Sequence, residues 1–164
     1  MTVLWEDRPC ILVRGIAYLP EVDDDYEGTF LTISDLTPDR IAAMKGLPVY
    51  IEHAEPPAGH AVGEVFNAYL NDDNWLMVEL VVQGVTADVH ASIDYSLRKN
   101  MFKMLSVGHD VVITRDPITV VEKRVKEISI VKKGAHDGTF ITSVLPCNNL
   151  AQALNLINMT ANKP

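Results

Sequence analysis

Histidine is scarce in this sequence, with five in 164 residues: His53, His60, His90, His109 and His136. His53 closes an apolar run, Leu47 to His53, and stands just before a loop broken by Pro56, Pro57 and Gly59. A side chain so placed is held at a rim, where an imidazole serves either as an ordinary solvated group or as a general base. Ser106 lies in Lys103-Met104-Leu105-Ser106-Val107-Gly108-His109, a hydroxyl interrupting strand-forming residues just ahead of a glycine. A buried serine ordinarily bonds to backbone. The segment is not a G-x-S-x-G elbow, so an α/β-hydrolase reading lacks its marker. Glu127 stands inside Val125-Lys126-Glu127-Ile128-Ser129-Ile130-Val131, where a carboxylate is costly unless it finds a partner. A lysine on a neighbouring strand would suffice. If instead the three groups meet, the imidazole takes the hydroxyl proton and the carboxylate fixes its tautomer and stabilises its charged form.

The surrounding pattern says what must position them. Cys10 to Leu19 reads as a buried strand and Glu21 to Glu27 as an acidic loop. Thr37, Pro38 and Asp39 start a short helix that Gly46 ends, and Leu47 to His53 is strand-like. From Ala61 to Gln83 two strand-like stretches flank Asn71, Asp72, Asp73 and Asn74, a hairpin pattern. Ala87 to Lys99 has helical spacing, with Val89, Ile93 and Leu97 on one face. Met101 to Thr114 and Thr119 to Lys132 are strands parted by Asp116 and Pro117; Thr139 to Leu145 is a last strand. A closing helix, 149–159, carries the stripe Leu150, Leu154 and Ile157. Many strands with few helices predict a mainly β barrel or sandwich with peripheral α-helices.

Composition narrows the function classes. With 48% hydrophobic residues the chain is long enough for one substantial core, and a single domain over 1–164 is expected, its core at about 10–145. A net charge of -8, from 14 Lys and Arg against 22 Asp and Glu, disfavours nucleic acid as a partner. Lys123, Arg124, Lys126, Lys132 and Lys133 gather loosely and read as the solvated face and end of a strand. Cys10 and Cys147 lie at opposite ends with no C-x-x-C spacing, so neither a zinc site nor a redox pair has support, and a reducing setting is expected. No signal peptide or membrane-length apolar run is read, so neither secretion nor a membrane partner is expected.

Three blocks around the candidate residues resemble the capsid-maturation proteases of herpesviruses, the assemblins, and the related prohead proteases of tailed bacteriophages. Leu47 to His53, followed by Val62-Gly63-Glu64-Val65, looks like the strand ending in the catalytic histidine and its V-G-x-V. Met104-Leu105-Ser106-Val107 resembles the nucleophile strand. Glu127 to Thr139 is similar to the strand and turn that carry the third catalytic residue and the oxyanion hole. The resemblance spans about Cys10 to about Leu145. It implies a closed, mainly antiparallel β-barrel and a serine endopeptidase that cleaves scaffolding and capsid precursor proteins during prohead maturation. Ser106 would be nucleophile, His53 base and Glu127 the third member, with the backbone of Ala135 and His136 as oxyanion hole and no cofactor or metal. It also implies a homodimer, for which the closing helix is a candidate contact, located inside the infected host cell with the immature capsid.

Two departures stand out. Assemblins have a second histidine where this chain has Glu127, and the acid resembles the phage branch instead. The adjacent arginines of the herpesvirus turn are here Ala135 and His136, which leaves backbone amides to hold the oxyanion. Two other readings stay open at this stage: a metal site built from Glu52, His53, Glu55 and His60, and a non-catalytic capsid or scaffold component.

Overall fold

Strand β1, Cys10–Tyr18, is apolar on both faces, so each face needs its own cover. The computed structural model describes residues 4–20, 30–115, 117–135 and 137–161; the expected acidic loop at 21–27, together with Asp116, His136 and Pro164, lies outside them. After β1 come a 3-10 turn (Ile33–Asp35), helix α1 (Pro38–Ala42), β2 (Pro48–Ile51), β3 (Gly63–Leu70) and β4 (Leu76–Val82). Helix α2 (Ala87–Arg98), β5 (Met104–Arg115), β6 (Ile118–Val131), β7 (Ile141–Cys147) and helix α3 (Leu150–Ala161) follow. The start signals work as their chemistry requires. Thr37 Oγ1 accepts from the Arg40 amide at 3.3 Å and Thr86 Oγ1 from the Val89 amide at 3.2 Å, each covering an otherwise unpaired donor of a first turn. In the β3–β4 turn Asn71 Oδ1 accepts from the amides of Asp73 and Trp75, and Asn74 takes φ 61°.

The strands form one seven-stranded sheet in the order β5-β6-β2-β3-β4-β1-β7. The expectation of a mainly β chain with few helices holds, but a closed antiparallel barrel does not. The sheet is mixed, because β2 runs parallel to β6, and it is not closed. Its edge strands approach at one point: Leu105 N donates to Thr139 O at 2.8 Å and Ile141 N to Lys103 O at 2.9 Å around the isolated bridge Met104↔Phe140. Beyond it β5 stays with β6, its partner as far as Arg115↔Ile118, and β7 stays with β1. Among the described residues no ladder closes the seam.

Alternation along the strands divides the interior. Ile11 and Val13, with Val49, Val65, Leu80, Leu105, Ile128 and Ile130, belong to the larger core on one face. Cys10 and Leu12 join Val81 and Cys147 on the other, beneath Ala153 and Ile157 of α3. Near-complete burial of Ile157 contributes roughly 1.5–3 kcal/mol, so the apolar stripe of the closing helix is spent on its own sheet. The same face brings Cys10 and Cys147 together as register partners across β1 and β7, both as free, buried thiols.

One charge departs from expectation. Lys123 is not solvated but buried, with Nζ donating to Phe30 O at 2.6 Å and lying 3.4 Å from the Asp35 carboxylate. An ammonium is held inside only when so paired.

Candidate active site

His53 owes its position to the abrupt end of β2. The strand runs beside β6 as far as Ile51↔Ile130, and the Glu52 amide makes one further bond to Ile130 O at 3.0 Å. Glu52 and His53 then take φ 52° and 57°, and the Ala54 amide closes the turn onto Ile51 O. This is why the strand stops two residues short of the expected His53. Left-handed backbone costs a residue other than glycine about 1–2 kcal/mol, and two such residues in succession persist only where the surroundings hold them. One hold is visible: Glu52 Oε1 accepts from the Lys132 amide at 2.7 Å, clipping the turn to the end of β6.

Ser106 and Glu127 come from the two strands at the other side of that turn. In the β5–β6 ladder Ser106 pairs with Ser129 and Gly108 with Glu127, so all four residues share one face. Ser106 is buried to 7% exposure and Glu127 to 2%. Leu105, just before the serine, is gripped twice by Thr139, whose Oγ1 donates to Leu105 O at 2.7 Å and whose carbonyl accepts the Leu105 amide.

The structure brings His53, Ser106 and Glu127 together. His53 Nε2 lies 3.0 Å from Ser106 Oγ, and Nδ1 lies 2.5 Å from Glu127 Oε1. An ionised carboxylate only accepts, so Nδ1 carries the proton of a neutral ring and Nε2 is left to accept from the serine hydroxyl. The second carboxylate oxygen, Oε2, takes the Ser129 hydroxyl at 2.6 Å. Among the described residues no lysine forms an ion pair with Glu127, as the structural alternative required; the acid is turned toward the histidine. The imidazole side chain keeps 44% of its surface exposed while the acid behind it is buried, so the carboxylate charge is shielded from water where it meets the ring.

Ala135 is exposed on the turn after β6, and His136 lies outside the described residues. The turn sits beside β5, the strand of Ser106. The Gly134 amide faces Met104 Sδ at 3.4 Å, and a Cβ on Gly134 would stand 2.6 Å from Thr139 Oγ1 and 2.9 Å from Leu105 O. The four residues of the metal alternative do not converge. Glu52 is bonded to the Lys132 amide, His53 to the serine and acid, Glu55 lies 3.8 Å from Lys126, and His60 lines a cavity with Trp5 and Tyr50. Among the described residues no group of three or more His, Cys, Asp or Glu gathers at metal-binding spacing.

Sequence reasoning missed Ser129, Gly108 and Thr139. Ser129 carried a readable signal, since it stands two residues from Glu127 and therefore on the same side of a strand. The other two depend on strand register, which spacing alone does not reveal.

No family model matches the sequence, and no curated protein matches it. Among solved structures the chain is similar to two room-temperature crystal structures of the Kaposi's sarcoma-associated herpesvirus protease, each in complex with an allosteric inhibitor. Both are 11% identical with a TM-score of 0.48, over 94% of this chain and 91% or 92% of theirs. At that score the likeness is one of chain trace, and the reading of the site rests on its own atoms.

Proposed function

We propose that this protein is a serine endopeptidase in which Ser106 is the nucleophile, His53 the general base and Glu127 the group that orients and charges the histidine. One observation carries the reading: an unbroken relay from Ser106 Oγ through both ring nitrogens of His53 to a buried carboxylate. The Ser106 oxygen attacks the peptide carbonyl carbon while its proton passes to His53 Nε2. The imidazolium, stabilised by Glu127, returns that proton to the amine as the C–N bond breaks, leaving an ester on Ser106. A water then attacks the ester, with His53 again taking and returning the proton. The oxyanion formed at each addition needs fixed donors, and the amides of the turn holding Ala135 and His136 are proposed to supply them.

The resemblance of the three sequence blocks supports the rest of the proposal. The substrates are scaffolding and capsid precursor proteins of an immature viral capsid inside the infected cell, and the enzyme works as a homodimer. A fluorophosphonate probe tests the chemistry directly, because the Ser106 oxygen bonds to phosphorus, fluoride leaves and the proton ends on His53. The wild-type protein should be labelled at Ser106, with labelling lost in Ser106→Ala and slowed in His53→Ala. An unlabelled but folded wild-type protein would favour a non-catalytic capsid component. Mass spectrometry of a denatured protein digested by the enzyme should then show new internal amino termini that are absent with Ser106→Ala.

A further inference from the structure

Glu127 has two carboxylate oxygens, and the relay to the serine uses only one. Oε1 faces His53, while Oε2 takes the hydroxyl of Ser129 at 2.6 Å. Ser129 is fully buried, at 0% exposure. It is also the register partner of Ser106 on β5 and of Tyr50 on β2, so its hydroxyl stands in the same row as the nucleophile. From these contacts we infer that Ser129 is a positioning residue of the active site, setting the plane of the Glu127 carboxylate and extending the relay to Ser106, His53, Glu127 and Ser129. The inference rests on the endopeptidase reading above.

The physical need is rotational. A glutamate has three side-chain torsions, the last of them broad, and a single bond to a ring on a turn leaves the carboxylate free to swivel about that contact. A second bond, from a hydroxyl two residues along the same strand, removes that freedom. A hydroxyl donating to a carboxylate makes a short, charge-assisted bond, and its strength is undiminished where water is excluded. Serine has one O–H to give, and here it is given to Glu127, so Ser129 does not compete with Ser106 as a nucleophile. A hydroxyl that merely satisfied a buried oxygen would matter for stability alone. One that aims the carboxylate matters for the rate at which Ser106 reacts.

The test compares wild type, Ser129→Ala, Ser129→Thr and Ser129→Val, with fluorophosphonate labelling of Ser106 as the rate. The maximal labelling rate per folded molecule should fall roughly 10- to 100-fold in the alanine and valine variants, the scale of a lost bond to a charged group, with the half-saturating probe concentration unchanged. Threonine, which differs from valine in carrying the hydroxyl, should restore most of that rate. Proton NMR of protein labelled with 15N-histidine should show the His53 Nδ1 proton far downfield in the wild type and threonine variant, and displaced or broadened in alanine and valine. Thermal unfolding on the same samples separates folding from function, and the threonine–valine pair decides the matter if alanine fails to fold. Labelling at the wild-type rate with an unmoved proton signal in Ser129→Ala and Ser129→Val would overturn the role of Ser129 and leave the endopeptidase reading intact. A wild-type protein that does not react with the probe removes both.

Discussion

Gly108 and Glu127 face each other across β5 and β6, and the space where a Cβ of Gly108 would stand is filled by the Glu127 carboxylate. Such a Cβ would collide with Oε1, the oxygen bonded to His53, as well as with Cδ and Cγ. Gly108, two residues after Ser106, therefore leaves room for the Glu127 carboxylate.

Gly108→Ala should push Glu127 off His53 while leaving the strand able to pair, since alanine is readily accommodated in extended backbone. A displacement of about 1 Å in a catalytic group costs on the order of 100-fold in rate. The variant should keep cooperative thermal unfolding and lose most probe labelling of Ser106. Undiminished labelling would mean that the carboxylate does not need the place it occupies.

Glu127→Gln keeps the size of the side chain but removes its charge. Its amide nitrogen would donate to Nδ1 and so favour the ring with the proton on Nε2, the wrong tautomer for a base. Single-turnover rates should fall by roughly 10²- to 10⁴-fold, with a far smaller change in thermal stability. The reverse pattern, lost stability with turnover per folded molecule unchanged, would make Glu127 structural.

Cys10 links stability to alkaline pH. Burial first, and then the neighbouring Cys147, pushes its thiol from an ordinary 9.0 up to about 12. The folded state thus holds this proton more tightly than the unfolded chain does. The resulting stabilisation is complete below about pH 9 and is lost as pH rises from there through about 12. Cys10→Ala removes the effect. Its melting temperature, lower at neutral pH because a buried sulfur is gone, should decline less steeply between pH 8 and pH 11 than that of the wild type; parallel curves would count against the linkage.

Gln83 ties the segment before β1 to the end of β4. Its Nε2 donates toward the carbonyls of Trp5, Arg8 and Pro9 at 3.1–3.2 Å, and its Oε1 accepts the Trp5 amide at 2.8 Å. Gln83→Ala should cost about 1–3 kcal/mol, the range for leaving buried partners unsatisfied. Hydrogen exchange at the Trp5 amide and chymotryptic cleavage after Trp5 should both accelerate. Unchanged exchange at Trp5 would show that the segment is held by other means.

Local chemistry was legible in the sequence wherever it acts over a few residues. The cap at Thr37, the Asn71–Asn74 turn and the apolar run of 10–18 are written in neighbouring side chains, because a helix end or a tight turn is satisfied within its own segment. The three reactive types at 53, 106 and 127 were also legible, each as an anomaly in an apolar run. Their meeting was not. It depends on a parallel pairing of β2 with β6, on a left-handed turn at Glu52 and His53, and on the β5–β6 register that seats Ser129 and Gly108 beside them. The open seam between β5 and β7, the burial of Lys123 and the pairing of Cys10 with Cys147 were likewise decided only by the fold. Spacing along a chain constrains neighbours within a turn or a strand, whereas contacts across 50 or more residues are chosen by which packing of the whole sheet buries the most apolar surface with its polar groups paired.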